Sequence, residues 1–188
     1  MNKIPLVSIL AAIVLSIMPS CGSDDDTNVY TTYAEWRETN DQWLAEQKAR
    51  KNDDGTPYFE TVVPSWNTGA YVLIHYFNDR SLTAGNLSPL STSTIDARYI
   101  VRYCNDTPLD SSYNLTSPAQ GIFRTQLNAV IEGWTIAFET MHVGDTAEII
   151  IPYESAYGVN ISSGVMPYSN LRFNTRLVDI PYYETSPK

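Results

Sequence analysis

From residue 70 onward the period of the sequence changes to two and four segments look like β-strands, a pattern that restricts the fold more than any other feature. The segments cover residues 70–77, 95–104, 146–151 and 171–180. A period of two is typical of β-strands, whose successive side chains point to opposite faces of a sheet. Residues 131–141 follow a helical period instead, with Trp134, Ala137, Phe138 and Met141 on one side. Several antiparallel strands and one short helix predict an α+β domain.

A second helical pattern precedes these strands, in residues 33–50. Trp36, Trp43 and Leu44 fall at positions i, i+7 and i+8, on one face of a helix. The loop-forming residues up to position 57 end the pattern, so we predict an N-terminal helical segment over residues 33–57. A stripe with two tryptophans must pack on something. It packs either on its own domain or on a second copy, as the face of a homodimer.

Composition excludes several classes of protein. Apolar residues make up 43% and charged residues 18% of the chain, which excludes a wholly disordered protein. The net charge of −9 argues against a nucleic-acid partner, which requires a basic surface. Two cysteines and two histidines are too few for the common zinc sites, so we predict no metal. We interpret His75 and His142 as structural residues and Cys104 as a small core residue.

The N-terminus has the features of a secretion signal. Lys3 precedes an apolar run over residues 4–18, which is too short for a comfortable membrane span. The following Ser20-Cys21-Gly22 resembles a bacterial lipoprotein cleavage site. We therefore predict a signal peptide over residues 1–20, lipidation of Cys21 and a membrane as partner through that anchor.

An acidic segment follows the lipidation site, and we interpret residues 21–32 as a lipidated acidic tether. Ser23 and the three aspartates after it resemble the surface-export signal of Bacteroidetes lipoproteins. This resemblance implies an outer-membrane lipoprotein exposed at the cell surface. The alternatives are an anchor that faces the periplasm and an acidic run that is only a solvated spacer.

The usual catalytic motifs are absent: there is no Gly-x-Ser-x-Gly, no phosphate-binding glycine loop and no His-Glu-x-x-His. Three blocks nevertheless follow one another in the C-terminal half. They are RYIVRYCNDTPLDSSY (98–113), AVIEGWTIAFETMHVGDTAEIIIPYESAYG (129–158) and MPYSNLRFNTRLVDI (166–180). With their Val-Ile-x-Gly-Trp and Ala-Tyr-Gly motifs, these blocks together resemble the FKBP-type peptidyl-prolyl cis–trans isomerases. The resemblance covers about residues 70–182, and we assign residues 58–188 to this domain.

The resemblance implies an FKBP-like twisted antiparallel sheet wrapped around a short helix, with an apolar aromatic cavity between them. Three residues are implied to be catalytic. The Ile131 backbone N–H would face a substrate carbonyl, the Tyr157 hydroxyl would bind the ligand, and Asp110 would lie at the cavity edge. Trp134 is implied as the cavity floor. The other substrate-binding positions implied are Tyr103, Leu109, Phe123, Val130, Val165 and Phe173.

The implied activity is cis–trans isomerisation of X-Pro bonds, with proline-containing polypeptides as partners and exported proteins as clients. It requires no covalent chemistry, so we predict no cofactor. The chain departs from the family at the cavity rim, where Leu109 replaces the usual phenylalanine and the loops before it and over residues 159–165 are short. These departures predict weaker activity. The alternative is a non-catalytic or weakly active chaperone or binding module on the same scaffold.

Overall fold

The computed structural model describes residues 24–184. The predicted signal peptide and the lipidation at Cys21 lie outside these residues and stay predictions. Within the described part of the chain, no helix has both the length and the apolar character needed to cross a membrane.

Two helices open the described chain, α1 (Asp24–Thr32) and α2 (Ala34–Ala49). Residues 27–32 of the predicted tether are therefore helical, which sequence patterning had not indicated. Backbone hydrogen bonds run through the junction, because Tyr33 N–H bonds to Val29 and Arg37 N–H bonds to the Tyr33 carbonyl. The helix α2 agrees with the pattern that predicted it over residues 33–50.

Seven strands form one antiparallel sheet within residues 24–184. They are β1 (Glu60–Val62), β2 (Val72–Tyr76), β3 (Thr94–Tyr103), β4 (Pro108–Ser111), β5 (Phe123–Gln126), β6 (Thr146–Ile151) and β7 (Leu171–Tyr182). The order across the sheet is β1-β2-β6-β7-β3-β4, and β5 also pairs with β3. The strands β2, β3, β6 and β7 match the four predicted segments to within two residues at either end. The other three strands contain three or four residues each, too few to show a period in the sequence.

One short helix, α3 (Glu132–Phe138), packs on the inner face of this sheet. Trp134, Ala137, Phe138 and Met141 are all buried, as the helical period predicted. Gly133 allows the close approach, because a Cβ at this position would overlap the side chain of Ile151 on β6. The α+β architecture predicted from the sequence is confirmed.

The apolar stripe of α2 packs within its own chain. Trp36 contacts the main core beneath the sheet, whereas Trp43 and Leu44 pack against a second cluster formed by Phe59, Leu73 and Ile150. This is one of the two arrangements that the stripe allowed. The homodimer through this helix stays a prediction, and light scattering of the chain tests it.

A buried carboxylate holds the loop between β2 and β3 against the turn before β6. Asp145 accepts hydrogen bonds from Asn78 Nδ2 (3.0 Å), from Thr83 Oγ1 and from the His142 N–H (2.8 Å), and Arg80 Nε lies 3.3 Å away. Burial raises the pKa of Asp145, but the hydrogen bonds and the Arg80 charge outweigh burial, and the net pKa lies below its ordinary value. The ionised carboxylate therefore stabilises the fold at neutral pH.

We expect Asp145→Asn to lower the free energy of unfolding by about 3 kcal/mol at neutral pH, because it leaves buried donors without their anionic partner. A lowered folded-state pKa contributes stability above the unfolded-state pKa, and this stability is lost as the pH falls through the folded-state value. The difference between wild type and variant should therefore shrink below a pH of about 3.8. Urea unfolding over a pH series measures it, with the exposed Asp53→Asn as control; an unchanged stability at neutral pH contradicts the prediction.

Candidate active site

A cavity of about 580 Å³ opens between α3, the inner face of the sheet and the loop before β7. Nine of the ten predicted site residues line this cavity. They are Leu109, Asp110, Phe123, Val130, Ile131, Trp134, Tyr157, Val165 and Phe173. These nine residues come from six separate stretches of chain, so the fold itself brings them together.

Trp134 forms the floor of the cavity and is only 4% exposed. Its ring meets Tyr99, Phe123 and Phe173 edge-on, at centroid distances of 5.3, 5.9 and 5.6 Å. On its other side, it stacks on Phe138 of the same helix at 4.7 Å. Such edge-to-face arrangements are favourable beyond the burial of apolar area. The floor is therefore a fixed aromatic surface.

Tyr103 is the predicted site residue that does not line the cavity, and the prediction of an aromatic wall at this position is wrong. It lies at the end of β3, where its ring contacts Trp36 edge-on at 5.7 Å and its hydroxyl accepts a bond from the Met166 N–H. Tyr99 occupies the wall instead. Tyr99 and Tyr103 lie four residues apart on the same face of β3, so alternation cannot distinguish them. Their positions along the strand decide which one faces Trp134.

The carboxylate of Asp110 holds the wall tyrosine in place. Its Oδ2 atom accepts a hydrogen bond from the Tyr99 hydroxyl at 2.6 Å, and its Oδ1 atom accepts one from the Ser111 N–H at 2.7 Å. Burial and the bond to Asp110 raise the pKa of Tyr99, so its hydroxyl is a permanent donor at neutral pH. Asp110 therefore combines a position on the cavity edge with the orientation of Tyr99.

Two of the donors predicted to bind substrate, both at the cavity, have no hydrogen-bond partner among residues 24–184. They are the backbone N–H of Ile131, directly before α3, and the hydroxyl of Tyr157, in the turn after β6. Burial and the nearby charge of Asp110 raise the pKa of Tyr157, which keeps the hydroxyl protonated. Both groups can donate to a carbonyl oxygen of a bound ligand.

The loop after Tyr157 closes one side of the cavity. Ser163 and Gly164 line it together with Val165, and sequence reasoning did not identify the first two. The Asn160 side chain accepts the Ser162 N–H and starts a short 3-10 turn over Ile161–Ser163. Gly164 then adopts a φ of 79°, a left-handed conformation that favours glycine. An Asn-x-x-x-Gly turn signal was thus present in the loop, without a link to the site.

The residues interpreted as structural lie outside the cavity lining. His75 stacks on Tyr58 at 3.8 Å, and His142 contacts Arg80 through Nδ1 at 2.8 Å. Cys104 is buried, and burial raises the pKa of its thiol. No cluster of three or more His, Cys, Asp or Glu residues suited to a metal ion occurs in the described part of the chain.

The sequence is similar to those of known proteins. The family model described as FKBP-type peptidyl-prolyl cis-trans isomerase matches residues 85–178. The chain belongs to this family. A macrophage infectivity potentiator of Trypanosoma cruzi is 37% identical over 98 residues, which are 52% of this chain and 48% of that protein. The FKBP-type 22 kDa peptidyl-prolyl cis-trans isomerase of Escherichia coli K12 is 33% identical over 93 residues, 49% of this chain and 43% of its own.

The chain thus spans about half the length of the curated relatives it matches. Two solved structures share the fold at 20% identity. A peptidyl-prolyl cis-trans isomerase from Pseudomonas syringae gives a TM-score of 0.60, and the alignment covers 79% of this chain and 95% of that isomerase. FkpA from Escherichia coli gives a TM-score of 0.57, and the alignment covers 88% of this chain and 76% of the FkpA chain.

Proposed function

We propose that this protein is a peptidyl-prolyl cis–trans isomerase that binds X-Pro segments of polypeptides in the cavity above Trp134. The observation that carries the proposal is the combination of an aromatic floor with two unpartnered donors, the Ile131 N–H and the Tyr157 hydroxyl. Family membership supports the same reaction.

The X-Pro bond resists rotation because its partial double-bond character gives a barrier of about 18–20 kcal/mol. The twisted amide has lost resonance and is less polar, so an apolar aromatic cavity favours it over the planar ground state. The two donors hold the carbonyl groups on either side of the rotating bond. Lowering the barrier by about 5 kcal/mol corresponds to an acceleration of several thousand-fold.

A non-catalytic binding module is the second candidate, and Leu109 is the observation that favours it. This half-buried side chain stands on the cavity wall beside Asp110. Leucine lacks the flat ring that could stack on a substrate proline. The same cavity would then hold an apolar client segment without accelerating rotation.

Proline-isomerisation exchange NMR on a Phe-Pro peptide distinguishes the two candidates. We expect acceleration by the wild type, weaker than that of typical family members.

We expect Tyr157→Phe to reduce kcat/KM about tenfold, the effect of one lost hydrogen bond of about 1.4 kcal/mol. Asp110→Ala should act similarly by releasing Tyr99, and Leu109→Phe should raise the rate.

The control is Tyr182→Phe, which removes an exposed hydroxyl at the end of β7, away from the cavity. It should leave the rate unchanged. A folded wild type without acceleration that still suppresses aggregation of an unfolded client supports the binding module instead. Full activity in both Tyr157→Phe and Asp110→Ala contradicts the assigned site.

We also propose that the protein assists the folding of exported proteins from an anchor at Cys21 in the outer membrane, on the cell surface. The apolar run over residues 4–18 and the Ser20-Cys21 junction support it. Cys21→Ala should release the protein from membranes or leave it unprocessed. Deletion of residues 23–26 should abolish surface labelling of whole cells, whereas labelling that persists places the export signal elsewhere. An unmodified Cys21 in the intact mass of the mature protein excludes the anchor.

A further inference from the structure

Two buried asparagines, Asn40 and Asn170, join α2 to the loop directly before β7. Asn40 is fully buried, although it lies between Trp36 and Trp43 on an otherwise amphipathic helix. Its Oδ1 atom accepts the Asn170 N–H at 2.8 Å, and its backbone carbonyl accepts Asn170 Nδ2 at 2.8 Å. Asn40 Nδ2 in turn donates to the Trp36 carbonyl at 2.9 Å. Burial of these polar groups is tolerated because each has its partner.

Asn170 continues this contact toward the cavity. Its Oδ1 atom accepts the Tyr153 N–H at 2.9 Å. The Tyr153 carbonyl then accepts the N–H groups of Ala156 and Gly158, which closes the turn that carries Tyr157. One hydrogen-bonded path therefore leads from α2 to the proposed substrate donor. The path is Asn40, Asn170, Tyr153 and the turn 156–158.

A second contact of α2 reaches the same wall. Trp36 Nε1 donates to Ser169 Oγ at 2.9 Å, and the indole ring supports Tyr103. The Tyr103 hydroxyl accepts the N–H of Met166, the residue directly after the cavity-lining Val165. The C-terminal part of α2 behaves differently, because Trp43 and Leu44 pack on Phe59, Leu73 and Ile150, none of which lines the cavity.

We propose that α2 is a positioning element of the active site, and that Asn40 and Trp36 are positioning residues for Tyr157 and the loop around Val165. This inference rests on the proposed isomerase function. It explains why the helix presents a buried asparagine to the sheet where an apolar residue would suffice for packing. Small displacements of a substrate-binding group have large effects on rate.

The test compares Asn40→Ala with the matched control Leu44→Ala in the full chain. Both changes truncate α2 on its packed side, but only the first lies on the path to Tyr157. At a temperature where both variants are folded, we expect kcat/KM to fall about tenfold or more in Asn40→Ala and to stay near wild type in Leu44→Ala. In a Tyr157→Phe background, Asn40→Ala should cause little further loss, because the residue that it positions is already disabled.

Amide and ring chemical shifts separate this inference from the proposed function. Asn40→Ala should shift the resonances of Tyr157 and Val165 and leave those of Phe123, on the opposite wall, unchanged. If the wild type shows no isomerisation, the proposed function fails, and these shifts still test the positioning role. Full activity of folded Asn40→Ala, equal losses in the two helix variants, or additive losses with Tyr157→Phe would overturn the inference.

An independent observation concerns the opposite face of the sheet. The register of β3 and β7 places Arg98 opposite Arg176 and Arg102 opposite Arg172. Like charges directly opposite each other destabilise a sheet. Ile100 and Asn174 lie between the two pairs. The four arginines are therefore on one face of the sheet, which we call the arginine face.

The arginine face carries more positive charge than its own carboxylates balance. Arg50 joins it from the end of α2, 3.9 Å from Glu148, and Arg172 pairs with Glu148 and Asp106. Arg98, Arg102 and Arg176 form no ion pair with another of the residues 24–184. The Nε atoms of Arg98 and Arg172 are buried without a hydrogen-bond partner in that range. Five of the chain's 12 basic residues thus converge on one surface of a protein with net charge −9.

The shape of the face restricts what can reach it. The helix α2 covers Leu73 and Ile150 on the same side, and Ile150 is the direct neighbour of Arg172 in the register. The helix α2, about 10 Å thick, therefore stands above the plane of the sheet beside the arginines, and the arginine face is recessed next to it. A single extended polypeptide fits into the recess beside α2, whereas α2 keeps a flat bilayer from contacting the arginines. The two arginine pairs are about 14 Å apart along the strands, so one small anion cannot span them.

We infer that the arginine face binds an acidic polypeptide segment in extended conformation. Carboxylates four residues apart in such a segment match the spacing of the two arginine pairs. Guanidinium groups bind carboxylates through two parallel hydrogen bonds, in a bidentate arrangement. The site is separate from the substrate cavity, because it lies on the other side of the sheet.

Fluorescence anisotropy with a labelled peptide of alternating glutamate and serine tests this site in the full chain. We expect binding that weakens with added salt and falls at least about tenfold in Arg102→Gln/Arg176→Gln, since charge-assisted pairs are lost. The control Arg37→Gln/Lys48→Gln removes the same charge from α2 and should bind like wild type. Absence of binding at low salt, equal loss in both double variants, or binding of phosphatidylglycerol vesicles in place of the peptide would overturn the inference.

Discussion

The packing of Trp134 against the sheet is the interaction on which the rest of the structure depends. The helix that carries it has only seven residues, which is too short to be stable by its own hydrogen bonds. It persists because Trp134, Ala137 and Phe138 bury their side chains under the inner face of the sheet. Gly133 is required for that contact at Ile151. The same indole then closes the bottom of the cavity, so the core and the binding surface share one side chain.

This sharing explains how a chain without catalytic motifs acquires a site. The aromatic residues around Trp134 are core residues in the energetic sense, and the cavity exists where they are not covered by another element. Polar groups are few and come from the ends of elements: the Ile131 N–H before α3, Asp110 near the end of β4 and Tyr157 after β6. Backbone geometry places Ile131 and Tyr157, and hydrogen bonds from Tyr99 and Ser111 hold Asp110. The site therefore needs little more than the fold to be pre-organised.

The sequence predicted the parts of this arrangement that repeat over many residues. The long strands and α3 showed their periods clearly, and most site residues were found through contiguous motifs such as Val-Ile-x-Gly-Trp. Short strands such as β4 and β5 have no measurable period and form because β3 offers them a partner. The sequence predicted Tyr103 as the cavity wall, where the structure has Tyr99, for a related reason. Alternation identifies the face of a strand, whereas the position of α3 along that strand is a property of the tertiary structure.

Polar residues inside amphipathic patterns were the hardest to interpret. Trp36 and Trp43 indicated correctly that α2 packs, but Asn40 between them reads as an ordinary solvent-facing residue until Asn170 is placed opposite it. A buried asparagine contributes specificity rather than hydrophobic energy, because its bonds are satisfied in one register of helix and sheet only. An apolar residue there would let α2 slide along the sheet. With Asn40, the helix is held in register with the turn that carries Tyr157, and the N-terminal segment becomes part of the cavity's architecture rather than an appendage to it.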